Sequence, residues 1–462
     1  MFSAKVYSDR REKLRKELLS GLVFFPGNSD VPFNYPANIY PFRQDSSFLY
    51  FFGLDRSDVF GVMDLDDGND YIFGNDVGID DIIWMGKQST IREQGQKVGV
   101  EKTALLKEIG VMIQAAKNKG RKIHFLPPYR SEIIILISGL LDIPITEVRA
   151  NASLELIRGV VKLRMKKDVL EVKEIEQMID VAYKMHTTGM KMAKPGVVER
   201  EIAGTLEGIA LANGGPVSFP IILTINGQTL HNHYHGNILS EGRMLVIDAG
   251  CESELHYASD ITRTIPVGGK FSQRQKEIYE IVLNTNLAAI AAVKPGVIFR
   301  DIHLLAATEI AKGLINLGLM KGDPKDAVDK GAHTLFFPHG LGHPMGLDVH
   351  DLEGLGENHI GYDEEITRSK EFGLAFLRFG RRLQKDFVMT IEPGIYFIPD
   401  LIDNWKSENK LGEFIDYDKV ETYRDFGGIR IEDDILVTDT GCRVLGTPIP
   451  KTIADVESMM NM

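Results

Sequence analysis

Leu245-Val246-Ile247-Asp248-Ala249-Gly250 is an apolar run that ends in an acid, and twelve residues after Asp248 the chain reads Ser259-Asp260-Ile261-Thr262-Arg263-Thr264. A carboxylate at the end of a buried strand is costly unless a cation or several donors compensate it. The interval is long enough for a hairpin that returns Asp260 alongside Asp248. Taken alone, Asp260 reads equally well as a turn cap beside Thr262 and Thr264. Three further motifs change that balance: His339-Gly340-Leu341-Gly342-His343, Thr390-Ile391-Glu392-Pro393-Gly394 and Arg430-Ile431-Glu432-Asp433-Asp434. Val388–Glu392 is a second predicted strand ending in an acid, and alternation in an extended segment puts Arg430 and Glu432 on one face. Asp248, Asp260, His343, Glu392 and Glu432 together carry too much negative charge for one buried site without cations. One nitrogen among many oxygens suits two hard or borderline divalent ions sharing bridging carboxylates. A water held between two such ions is activated at neutral pH, which is the chemistry of metal-assisted hydrolysis.

Bulk properties narrow the class. At 462 residues the chain exceeds the size at which one core keeps growing, so two domains are expected. A net charge of −12 argues against a nucleic-acid partner, since affinity for phosphate backbones comes from basic surface. Cys251 and Cys442, far apart and alone, fit a reducing compartment. The first twenty residues are charged throughout, with no signal-like apolar run, and no segment reaches membrane-spanning length. The expectation is a soluble cytoplasmic protein without a membrane partner.

The first 160 residues alternate helix and strand patterns. A helix is predicted near Ser8–Ser20, strands over 21–26, Val59–Leu65 and Asp70–Phe73, a helix over Lys102–Lys117 and a strand at Lys122–Leu126. One long helical pattern covers Lys162–Lys194. The predicted architecture is therefore α/β, with an N-terminal α/β domain over 1–160 and an α+β catalytic domain over 161–462. Within the second, Lys194-Pro195-Gly196-Val197 recurs as Lys294-Pro295-Gly296-Val297, each copy followed by a helical pattern, Glu199–Ala212 and Arg300–Leu314. Lys-Pro-Gly is also a common helix stop. The matching flanks and the two acidic strands favour a duplicated unit with an internal pseudo-twofold that gathers distant carboxylates.

Three histidines within twelve residues, His339, His343 and His350, stand among glycines that let backbone approach a ligand closely. In this order the five acidic and histidine motifs resemble the pita-bread metallopeptidases, the family of methionine aminopeptidase, aminopeptidase P and prolidase. Phe42-Arg43-Gln44-Asp45-Ser46-Ser47-Phe48 resembles the N-terminal domain of aminopeptidase P and prolidase, which methionine aminopeptidases lack. The resemblance covers nearly the whole chain. It implies that Asp248 chelates one ion, that Asp260 and Glu432 bridge two, and that His343 and Glu392 complete the second, with Glu392 also a proton acceptor. His231 and His350 match substrate-side histidines of the family, and His339 lines the same pocket. The interval between Asp248 and Asp260 is about one residue longer than in aminopeptidase P, which a longer hairpin tip would absorb. Trp84 resembles a tryptophan that reaches towards a neighbouring subunit's site, so a homodimer is implied; a core tryptophan is the alternative.

Aminopeptidase P and prolidase, the members with this N-terminal domain that the chain resembles, cleave the bond before proline, so the implied substrate is a small peptide with proline at the second position. The implied cofactors are two divalent ions, manganese by resemblance, with cobalt or zinc able to use the same ligands. Forty residues separate Glu392 from Glu432, a polar insertion that resembles prolidases. Arg378, fourteen residues before Glu392, matches the prolidase arginine that holds a dipeptide's terminal carboxylate; the alternative is a solvated basic cluster with Arg381 and Arg382. Arg430 is a second candidate substrate-side arginine. The reading is an Xaa-Pro dipeptidase, with an Xaa-Pro aminopeptidase acting on longer peptides as the alternative. A non-catalytic peptide-binding relative and an amidinohydrolase like creatinase are disfavoured, because such proteins lose ligands that this chain keeps.

Overall fold

The computed structural model describes residues 1–462. The chain forms two compact units, Met1–Arg164 with Leu352–His359, and Met165–Asp351 with Ile360–Met462. No helix is long and apolar enough to cross a membrane.

The first unit is built on a five-stranded mixed sheet in the order Lys102–Ala104, Asp70–Phe73, Phe60–Asp64, Leu22–Pro26, Ile123–His124. Phe24, Phe60, Val62, Phe73, Ile113 and Ile137 form its buried core on one side. The predicted helix over 102–117 is divided. Lys102–Ala104 is an edge strand parallel to Tyr71–Phe73, and after a 3-10 turn over Leu106–Glu108 the α-helix begins at Ile109. The unpaired edge of Asp70–Phe73 recruits these residues, so sheet pairing overrides a helical pattern. The first helix spans Ala4–Arg15, four residues earlier than expected. Its buried face is Tyr7, Arg10, Arg11 and Leu14, and Arg11 donates to Asp70 and to the carbonyls of Phe51, Val98 and Gly99. Buried guanidinium groups are invisible to an apolar periodicity.

The long pattern over 162–194 resolves into two helices, Leu154–Arg164, the last helix of the first unit before residue 165, and Val169–Met192, the first of the second. The break is a capping box. Asp168 accepts from the amides of Leu170 and Glu171, and Glu171 reaches back to the Asp168 amide at 2.9 Å. The expected helix over Glu199–Ala212 is present, and the one expected over 300–314 spans Phe299–Asn316.

The repeat extends to the hydrogen bonds. The Gly196 amide donates to Leu239 O and the Leu239 amide to Val197 O, while Gly296 donates to Leu383 O and Leu383 to Val297 O, all at 2.8–2.9 Å. Gly196 and Gly296 adopt φ of 92° and 85°, a left-handed conformation that favours glycine. Each half then supplies an acidic strand. Met244–Ala249 lies between Ile222–Thr224 and Ile261–Pro266, and Val388–Ile391 pairs with Asp433–Val437. Both strands are buried throughout; Asp248 near the end of the first is buried, and Glu392, one residue past the second, is half-buried.

Candidate functional site

Asp248 is the penultimate residue of its strand, directly opposite Thr262 on the returning strand of the predicted hairpin. Asp260 immediately precedes that returning strand, and its amide donates to Asp434 Oδ2 at 3.0 Å. Glu392 follows Val388–Ile391, and Glu432 stands between Gly428–Arg430 and Asp433–Val437. His343 lies on a loop laced to the second acidic strand. Its amide donates to Thr390 Oγ1 at 3.1 Å, and the Thr390 amide donates to His343 O at 2.9 Å. Gly342 permits that approach, because a Cβ there would lie 2.0 Å from Thr390 O.

These elements converge on a cavity of about 590 Å³ lined by all five predicted ligands. Ligand atoms of Asp260, His343 and Glu432 lie within 4.8 Å of one another. His343 Nδ1 faces Pro344 O at 3.1 Å, which makes Nδ1 the donor and leaves Nε2 as the lone-pair nitrogen. Nε2 sits 3.5 Å from both Asp260 Oδ2 and Glu392 Oε1. Burial, and then the charge of Asp248, drives the Asp260 carboxyl well above the usual range. Burial followed by Asp260 does the same to Glu432, and burial brings Glu392 to about 7 against the opposing pull of His343 and Arg430. Asp248 Oδ1 is buried without a hydrogen-bond partner. An orphaned carboxylate oxygen beside mutually repelling acids and an imidazole lone pair fits bound divalent cations.

One cation of the protein's own balances part of this charge. The Arg430 guanidinium donates from Nη2 to Asp248 Oδ2, from Nη1 to Tyr396 Oη at 3.0 Å and from Nε to Thr262 Oγ1 at 3.0 Å. Arg430 lines the cavity, yet its donors are directed at the protein. His339 shares this arrangement. Its Nδ1 faces Gly340 O at 2.8 Å and its Nε2 faces Tyr396 Oη at 2.9 Å, so Tyr396 donates to Nε2. Burial and then Arg430 lower the His339 pKa to about 3, keeping the ring neutral.

His231, His350 and Arg378 also line the cavity. His350 stands edge-on to His343 with ring centroids 4.4 Å apart at 77°. The His231 pKa is lowered by burial and then by Arg430. Phe219, Pro220 and Leu230 give the cavity an apolar side opposite the acids in character. Trp84 does not line it. It sits on the short helix Ile79–Met85 of the first unit and is 87% exposed, so it is no core residue.

Sequence reasoning missed the supporting residues Thr262, Arg263, Thr390, Tyr396 and Asp434. Thr262 was within reach, because it stands two residues after Asp260 in an extended segment. Arg263 is 1% exposed, and its Nη1 donates to Glu432 O at 2.6 Å while Nη2 donates to Asp433 at 2.7 Å. Tyr396 carries no such signal, since Pro393-Gly394 interrupts the alternation after Glu392.

Residues 173–439 match metallopeptidase family M24. The chain belongs to metallopeptidase family M24. Residues 7–124 match the aminopeptidase P N-terminal domain, so the M24 region is preceded by the domain that the 42–48 segment indicated. The chain is 31% identical to the Xaa-Pro dipeptidase of Homo sapiens, over 91% of this chain and 84% of that protein. It is 32% identical to a probable Xaa-Pro aminopeptidase of Aspergillus terreus, over 91% of this chain and 88% of that one. Escherichia coli aminopeptidase P in complex with the inhibitor Pro-Leu matches with a TM-score of 0.82 at 27% identity, covering 100% of this chain and 98% of that one. This M24 protein is thus a metallopeptidase with a buried metal-binding cluster.

Proposed function

We propose that this enzyme hydrolyses the Xaa-Pro peptide bond, with Xaa-Pro dipeptides as preferred substrates. The observation that carries the dipeptide reading is the presence of Arg378 in the same cavity as the carboxylate cluster. A guanidinium at that place pairs with a substrate's terminal carboxylate and so measures peptide length. The bond before proline is a tertiary amide without an N–H, which deprives ordinary proteases of a backbone contact.

Asp248, Asp260, His343, Glu392 and Glu432 would hold two divalent ions, manganese in this reading, with Asp260 and Glu432 between them. Such ions supply carbonyl polarisation and an activated water. The protein's own residues do the rest. Glu392 takes the proton of the attacking water on its carboxylate, and the imidazoles of His231, whose pKa burial lowers, and of His350 bind and orient the substrate carbonyl. Arg430 holds Asp248 and Tyr396 in place, which makes it a positioning group. Trp84, with Ile79, Ile83 and Met85 exposed beside it, would pack against a second copy of the chain in a homodimer.

The aminopeptidase reading is favoured by the relatives of that name and by the likeness to aminopeptidase P. Initial rates on Xaa-Pro and Xaa-Pro-Yaa, measured beside metal content by mass spectrometry, separate the two. Faster cleavage of tripeptides would replace the dipeptidase reading with the aminopeptidase one.

A further inference from the structure

We propose that Lys167 and Asp351 are positioning residues, whose enclosed ion pair clasps the loop between His343 and His350 and holds the His350 imidazole at the cavity. The inference rests on the assignment of His350 to the substrate side.

Residues 343–350 contain neither helix nor regular strand, so no continuous ladder sets the geometry of this loop. Its two histidines nevertheless meet edge-on at 4.4 Å, which requires both ends to be held. At the far end, Lys167 Nζ donates to Asp351 Oδ2 at 2.8 Å, and each side chain is 1% exposed. The other carboxylate oxygen, Oδ1, accepts from the Asp348 amide at 3.3 Å, and the Asp351 amide donates to Pro344 O at 2.9 Å. The Asp351 carboxylate and amide therefore staple the loop to itself on both sides of His350.

The lysine fixes the loop to the ligand-bearing strands. Lys166 bridges to Phe387, and the Lys167 amide donates to Asp386 O at 2.8 Å, just ahead of the strand that leads to Glu392. Across the loop, the Ala258 amide donates to Gly346 O at 2.8 Å, two residues before Asp260. Space at the clasp is full. A Cβ on Gly346 would lie 2.7 Å from both Asp351 Oδ2 and Lys167 Cε. An apolar contact could slide, whereas a desolvated ammonium–carboxylate pair is directional and strongly resists separation.

The test compares the wild-type enzyme with Lys167→Met/Asp351→Leu, alone and combined with His350→Ala. Replacing both charges by apolar groups of similar volume avoids an unpaired buried charge and so preserves folding. The expected result is a bound-metal content equal to wild type, KM within about twofold and kcat lowered by about ten- to a hundredfold, the scale of a misplaced group. In the His350→Ala background the same pair of substitutions should lower kcat by less than about twofold, because the two changes act through one group. An unchanged kcat, a loss of metal, or losses that multiply in the His350→Ala background would each overturn the clasp. If His350→Ala alone leaves kcat unchanged, the His350 assignment itself falls, which is a separate outcome. Should the double variant fail to fold, Gly346→Ala crowds the pair with both charges retained and is judged by the same criteria.

Discussion

The Thr262 hydroxyl donates to Glu432 Oε2 at 2.6 Å while it accepts from Arg430 Nε at 3.0 Å. One small side chain thus aims a carboxylate into the cluster and ties it to the guanidinium that holds Asp248. Groups behind the ligands set orientation and basicity, and their loss costs about ten- to a hundredfold in metal affinity. Thr262→Val keeps the shape and removes both bonds. Titration of the metal-free protein should show that weakening with the melting temperature of the metal-free form nearly unchanged, whereas wild-type affinity would leave Thr262 without this role.

Asp260→Asn should abolish most turnover in a folded protein. Its carboxylate lies against His343 Nε2 and is flanked by Asp248 and Glu432, so the neutral amide removes one arm of the cluster. Several kcal/mol of transition-state stabilisation depend on the bound cations, which corresponds to a loss on the order of a hundredfold or more. Circular dichroism establishes the fold and mass spectrometry the metal stoichiometry. Near-normal rates in a metal-replete variant would sink the assignment of Asp260 as a shared ligand.

His231→Ala should lower kcat by about a hundredfold, the lower end of the range for proton-handling groups, with metal content intact. The imidazole faces the cavity and is held neutral by burial and Arg430, so it suits hydrogen bonding to substrate more than charge neutralisation. Loss of an equivalent of metal on this substitution would show that His231 is a ligand instead.

Arg378→Ala should erase most of a preference for Xaa-Pro over Xaa-Pro-Yaa. A hydrogen-bonded charge contact contributes about 1.5–3 kcal/mol, which is roughly ten- to a hundredfold in kcat/KM. The effect should fall on dipeptides and spare tripeptides. Equal losses on both substrates would assign Arg378 to general electrostatics.

Stability should fall as pH drops below about 6.5, the unfolded histidine pKa. His303 and His333 are buried with neither ring nitrogen hydrogen-bonded, and burial lowers their pKa values to about 3 and about 4. Above the unfolded pKa both states are neutral and the native state loses nothing. Below it the unfolded chain binds protons that the native one refuses, at about 1.4 kcal/mol per pH unit for each imidazole. A His303→Leu/His333→Phe variant should therefore lose melting temperature less steeply than wild type between about pH 6.5 and pH 4.5. Parallel curves would mean that these rings are hydrated or protonated in the native protein.

Chemistry was legible in the chain wherever it needed a particular residue type beside a strand signal. Asp248, Asp260, His343, Glu392 and Glu432 could be chosen from motifs, because an acid closing an apolar run has few structural uses. The hairpin joining Asp248 to Asp260 and the repeated Lys-Pro-Gly turns were likewise readable, since both are local. Helix limits near Arg15 and Arg164 were misread where a buried arginine face or a capping box replaced the apolar period. Only the tertiary structure decided that Arg430 spends its donors on Asp248, Tyr396 and Thr262, and that Lys167 meets Asp351. Such partners lie from about thirty to more than 180 residues apart in the chain, and a hydrogen bond's direction depends on the packed backbone, which no local pattern encodes.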